Sequence, residues 1–102
     1  MSDETHSKKL VTIVTEAALE SNLTRDVEEL GAQGYTITDA RGKGSRGVRG
    51  AEWDSSSSIR MEVICNSATA EAITHHLEKN YYANFSMIVF VGDVEVLREN
   101  KF

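Results

Sequence analysis

The residues best suited to chemistry lie in one stretch, Arg41-Gly42-Lys43-Gly44-Ser45-Arg46-Gly47-Val48-Arg49-Gly50. It carries four cations, four glycines and no acid, inside a chain of formal net charge −5. Removing those four positive charges leaves −9 on the rest of the chain, so the reversal of sign is local. Glycine lets backbone N–H groups come close to a ligand, and guanidinium forks match the paired oxygens of phosphate or carboxylate. The stretch reads as an anion-binding loop for a phosphorylated small molecule.

Context excludes two common phosphate patterns. Gly42-x-Gly44-x-x-Gly47 has dinucleotide-fingerprint spacing, but Val48-Arg49-Gly50-Ala51-Glu52-Trp53 does not open a helix, so no helix terminus awaits a pyrophosphate. A Walker A loop needs glycine five positions before Gly42, where Ile37 stands. What survives is a backbone nest assisted by cations. The competing reading is a hairpin loop whose charges only keep it solvated. Against it stand the interleaved glycines and a length beyond that of ordinary hairpins. The binding reading assigns Lys43, Ser45, Arg46 and Arg49 to the ligand. Trp53, the only tryptophan, sits in Glu52-Trp53-Asp54 before four serines, and reads either as an exposed partner anchor or as a ring folded back on its domain.

Other constellations are poor. His75 and His76 are adjacent, and neighbouring helix positions diverge by about 100°, so they do not chelate one ion. His76 is placed at the edge of an apolar helix stripe, and Cys65 reads as a buried small hydrophobe. No nucleophile has an evident base, so no catalytic residue, enzyme activity, metal or cofactor is expected.

The elements that must position the loop follow from periodicity. Lys9 to Thr15 is β-branched and apolar on both faces, a central strand after a disordered lead-in at residues 1–8. From Glu16 to Gln33 a helix carries Leu19, Leu23, Val27 and Leu30 on one face, with Glu20, Arg25, Asp26, Glu28 and Glu29 off it, and Gly31 and Gly34 as the stop. Tyr35 to Ala40 is the second strand, and Ile59 to Cys65 the third, paired to it across the long loop. Asn66, Ser67 or Thr69 caps a second helix with Ala70, Ile73, Leu77 and Tyr81 inward. Phe85 to Val91 is the fourth strand, Gly92-Asp93 a turn, and Val94 to Leu97 a short extended piece.

The predicted fold is α+β: a ferredoxin-like βαββαβ sandwich, a four-stranded antiparallel sheet with two helices on one face and a long loop between strands two and three. Two helices cover one face only, yet the first and fourth strands look apolar on both, so the open face is expected to bury itself in a homo-oligomer. The chain of 102 residues fits one domain, and its acidic balance (pI near 5.1) argues against nucleic acid or anionic membranes as partners. The polar start, the absence of a span of about 20 apolar residues and the single cysteine predict a cytoplasmic protein with no signal peptide and no membrane insertion.

Lys9-Leu-Val-x-Ile-Val-Thr-Glu16, Gly31-Ala-Gln-Gly34-Tyr35-Thr36, Gly42-Lys43-Gly44-Ser45-Arg46-x-Val48-Arg49 and Ile88-Val89-Phe90-Val91 together resemble the PII-like signalling proteins. The nearest branch is the SbtB-type regulators of bicarbonate transport and the carboxysome-associated PII proteins. The resemblance covers nearly the whole chain after Lys8. It implies a PII-like domain over residues 9–102, a homotrimer, and adenine nucleotides (AMP, ADP, ATP or cyclic AMP) in clefts between subunits. Gly42 to Ser45 would wrap the phosphates, Arg46 and Arg49 would pair with them or lie on the ribose side, and backbone from Phe90 to Gly92 would come from the neighbouring subunit. Residues 43–58 correspond to the T-loop, where Arg49 and Trp53 would meet a protein partner, a membrane bicarbonate transporter in this branch. Bicarbonate is a second ligand in some members. The paired-cysteine Cys-Gly-Pro-x-Gly-Cys motif of several SbtB-type proteins has no counterpart in a chain with one cysteine and no proline, so redox control and slow nucleotide hydrolysis are not expected. The alternative is a small RNA-binding domain with the same strand and helix order, although the third strand lacks the base-stacking aromatics that role needs.

Overall fold

A computed structural model describes residues 6–42 and 57–98. Its elements run β1 (His6–Glu16), a 3₁₀ turn (Ala17–Leu19), α1 (Glu20–Glu29), β2 (Thr36–Ala40), β3 (Ser58–Cys65), α2 (Ser67–Asn80) and β4 (Ile88–Val96). The strands form one sheet in the order β2-β3-β1-β4, with every neighbouring pair antiparallel. This is the ferredoxin-like α+β arrangement that the periodicity predicts.

Successive side chains of a strand point to opposite faces, so register fixes two sets of cross-strand rows. The odd-numbered rows, Ile37-Met61-Ile13-Val89 and Val63-Val11-Val91, face the helices. Their centre merges with Leu19, Leu23 and Val27 below α1 and Ala70, Ile73, Leu77 and Tyr81 below α2. The even-numbered rows face away: Thr36-Glu62-Thr12-Phe90, Thr38-Arg60-Val14-Ile88 and Ile64-Leu10-Gly92.

Local chemistry sets the ends. Asn66 Oδ1 accepts from Thr69 N at 2.8 Å and caps α2. After α1, Gly31 adopts φ of +113°, a conformation that other residues rarely adopt. A Cβ there would also lie 3.2 Å from Thr69 Oγ1, so glycine stops one helix and admits the start of the other.

Four expectations need correction. β1 begins at His6, so residues 6–8 of the expected disordered lead-in are strand. They pair with Val94–Val96 through backbone groups and need no apolar side chains. The first helix is shorter than Glu16 to Gln33, opening as a 3₁₀ turn and ending at Glu29. Gly92-Asp93 is no turn: the long β1 templates Leu10↔Gly92 and Lys9↔Asp93, Lys9 Nζ pairs with Asp93 Oδ1, and β4 runs unbroken from Ile88 to Val96. Asp26, placed off the apolar stripe, is nonetheless only 7 % exposed, because three side chains satisfy its carboxylate.

Candidate functional site

On the open face, Gly34, Tyr35 and Thr36 at the start of β2, Glu62 and Ile64 of β3, and Val96, Leu97 and Arg98 at the end of β4 enclose a groove of about 690 Å³. Its floor follows from alternation: Thr36 and Glu62 are register partners, and Ile64 lies two residues along the same face. Beside it, Arg60 Nε donates to Glu62 Oε2 at 3.2 Å. Both side chains are over a third exposed, so the pair holds little energy and can be exchanged for a ligand. Further along β3, Ala40 pairs with Ser58 and closes the base of the loop. From Glu62 to Ser58 is four strand residues, roughly 13 Å. One face thus aligns a groove with an apolar wall, an arginine, and the root of the cation-rich loop.

Of the residues the sequence nominated, Gly42 is described. It is exposed just past β2, with open space where a Cβ would be. Phe90 lies on the open face of β4, half exposed at 48 %, two residues from Gly92, which is also unobstructed. Lys43, Gly44, Ser45, Arg46, Arg49 and Trp53 lie outside the described residues. Register puts Phe90 two strands from Glu62, with Thr12 between, so Phe90 and Gly92 do not line the groove of the same subunit. Sequence reasoning did not nominate Thr36, Glu62, Ile64 or Arg98. The signal was present in Arg60-Met61-Glu62-Val63-Ile64, whose alternation sends Met61 and Val63 to the core and the other three to the opposite face.

A second polar cluster lies between the helices. Asp26 Oδ2 accepts from Tyr81 Oη at 2.6 Å and from His76 Nε2 at 3.0 Å, and Oδ1 accepts from Arg25 at 3.3 Å. Burial alone would raise the Asp26 pKa, but the hydrogen bonds from Tyr81, His76 and Arg25, with the charge of His76, hold it below its ordinary 3.8. Burial first, then the Asp26 carboxylate, push the Tyr81 hydroxyl up to about 12. His76 therefore sits at the stripe's edge as expected, with a partner the sequence did not reveal. Cys65 is buried, and burial raises its thiol. Among the described residues no group of His, Cys, Asp and Glu is arranged to hold a metal, and no helix is long and apolar enough to cross a membrane.

A four-stranded antiparallel sheet backed by two helices, with a groove on its uncovered side, defines a small ferredoxin-like α+β domain. The sequence model of the nitrogen regulatory protein P-II family matches residues 8–101, and the chain belongs to that family. A candidate PII-like signalling protein from Thermus thermophilus is 42 % identical, over 97 % of this chain and 98 % of that one, with a TM-score of 0.82. CPII from Thiomonas intermedia K12, in a structure bound to ADP and bicarbonate, is 27 % identical over 97 % of each chain, also with a TM-score of 0.82. GlnK of B. subtilis, solved as an ATP complex, is 17 % identical over 86 % of this chain and 82 % of that one, with a TM-score of 0.61, and shares the fold.

Proposed function

We propose that this protein is a nucleotide-sensing regulator, a homotrimer that takes AMP, ADP, ATP or cyclic AMP in clefts between subunits. The observation that carries the reading is the open-face groove, which leads along β3 to the root of a loop with four cations and four glycines. Membership of the P-II family and the ADP held by CPII support it. Gly42, Lys43, Gly44, Ser45, Arg46 and Arg49 receive the phosphates. Thr36, Glu62 and Ile64 form the floor for the rest of the ligand, and Phe90 and Gly92 approach from the neighbouring subunit. A Gly- and Ser-rich loop loses conformational entropy when ordered, so a ligand that pins it selects among loop shapes.

The loop then carries the signal. Arg49 and Trp53 are its contacts with a partner in inorganic-carbon uptake, a membrane bicarbonate transporter, reached from the cytoplasm. The bicarbonate in CPII supports that direction. Isothermal calorimetry with the four nucleotides, with and without bicarbonate, tests the ligand half. Heat from an adenine nucleotide that Arg46→Ala abolishes is expected, and silence from all four refutes the reading. Co-purification of the transporter with wild type but not with Trp53→Ala tests the partner half.

A further inference from the structure

The polar cluster between the helices lies on the side of the sheet away from the groove. Asn80 is the last residue of α2. Its Nδ2 donates to the backbone oxygen of His76 at 2.9 Å and stands 3.1 Å from His76 Nδ1. A backbone carbonyl only accepts, so the first contact fixes the Asn80 amide with its NH₂ towards His76. Nδ1 must then be an acceptor, and the proton of the neutral ring sits on Nε2, where it is donated to Asp26. Each ring nitrogen of neutral His76 thus has a matched partner.

Adding a proton to Nδ1 breaks this match. Two donors then face each other across 3.1 Å, and turning the amide to present Oδ1 would set it against the His76 carbonyl. The groups facing the ring are Asp26 from α1, whose other carboxylate oxygen Arg25 holds, Tyr81 from the turn after α2, and Asn80 from α2 itself. Asp26 gains a charged partner, while Asn80 loses its bond to Nδ1 and keeps the one to the His76 carbonyl only against a facing donor. That loss falls on the end of α2, where Tyr81 and Tyr82 amides close on Leu77, and Asn84 and Phe85 amides close on Tyr81. The same segment runs on through Ser86, held by Thr15 Oγ1 at 2.8 Å, into β4.

We propose that His76 and Asn80 form a proton-operated latch: the neutral ring locks the carboxyl end of α2, and protonation releases the connection to β4 while tightening the link to Asp26. Histidine is the side chain whose charge ordinarily changes between pH 5 and 8. The latch is independent of what the groove binds.

Nitrogen-15 NMR of the ring and amide hydrogen exchange of the full chain, corrected for intrinsic rates, test it. Above the His76 titration the Nε2–H tautomer is expected. Through the titration, protection of the Tyr81, Tyr82, Asn84 and Phe85 amides should fall by roughly five- to tenfold, the factor one lost hydrogen bond is worth. In Asn80→Asp the carboxylate accepts from the protonated ring, so protection should rise on acidification instead. A neutral Nδ1–H tautomer, wild-type protection that is constant or rises on acidification, or a wild-type response in Asn80→Asp would each overturn the proposal. The wild-type experiments decide it even if the variant does not fold.

Discussion

The two faces of the sheet are made from alternate residues of the same four strands, and they are finished differently. On the helix side, Val11, Ile13, Met61 and Val63 are fully buried against Leu23, Val27, Ile73 and Leu77. On the other side, Phe90 and Ile88 are about half exposed at 48 % and 49 %, and an ion pair lies two strands away on the same face. Between these groups Thr12 is fully buried, and its Oγ1 lacks a hydrogen-bond partner among the described residues. Packing within the chain completes the first face, whereas the second leaves apolar side chains exposed beside a groove and a hydroxyl unpaired among the described residues. The stabilising contacts and the candidate ligand contacts therefore lie on opposite sides of one layer of backbone.

The largest effects should separate the two faces. Leu23→Ala or Ile73→Ala removes a fully buried side chain and is expected to cost about 2–5 kcal/mol in denaturant unfolding. Phe90→Asp, on the open face, should keep the far-UV circular dichroism of wild type and lose self-association instead. Equal loss of fold from both kinds of change would erase the distinction.

Asp26→Ala comes next. It leaves the Tyr81 hydroxyl and the His76 ring without their acceptor in a buried layer, at about 1–3 kcal/mol in thermal or chemical unfolding. The pH dependence has a defined sign on both sides. Tyr81 is raised to about 12 from 10.0, so its contribution is complete below pH 10 and is lost as pH rises towards 12; Tyr81→Phe should remove that alkaline step. Asp26 is lowered, so its contribution is present above its ordinary 3.8 and is lost as pH falls through its folded value. The smallest effect is on the open face, where Thr12→Val removes the unpaired hydroxyl and is expected to gain on the order of 1 kcal/mol in thermal unfolding. A lower melting temperature would mean that an arriving chain satisfies the hydroxyl.

What was legible in the sequence follows this division. The core stripes Leu19-Leu23-Val27 and Ala70-Ile73-Leu77-Tyr81 could be read because helical period and burial are the same signal. The βαββαβ order and the β2–β3 pairing were legible for the same reason. The length of β4 was not, since Gly92-Asp93 carries turn chemistry and only β1 alongside overrides it. Nor was Asp26, because its burial depends on Tyr81, 55 residues away, and His76, 50 residues away, and local pattern cannot report either. The groove was half legible. The loop's charge pointed to an anion, but the floor at Thr36, Glu62 and Ile64 exists only once β2 and β3 are in register.

A cleft between subunits requires other copies of the chain to cover the open face. Sedimentation equilibrium of the wild-type protein tests this directly. The predicted result is a single species of about 34 kDa, three times the 11.3 kDa chain, which Phe90→Asp converts to monomer without unfolding it. A monomeric wild-type protein at every concentration, with or without ADP, would contradict the account.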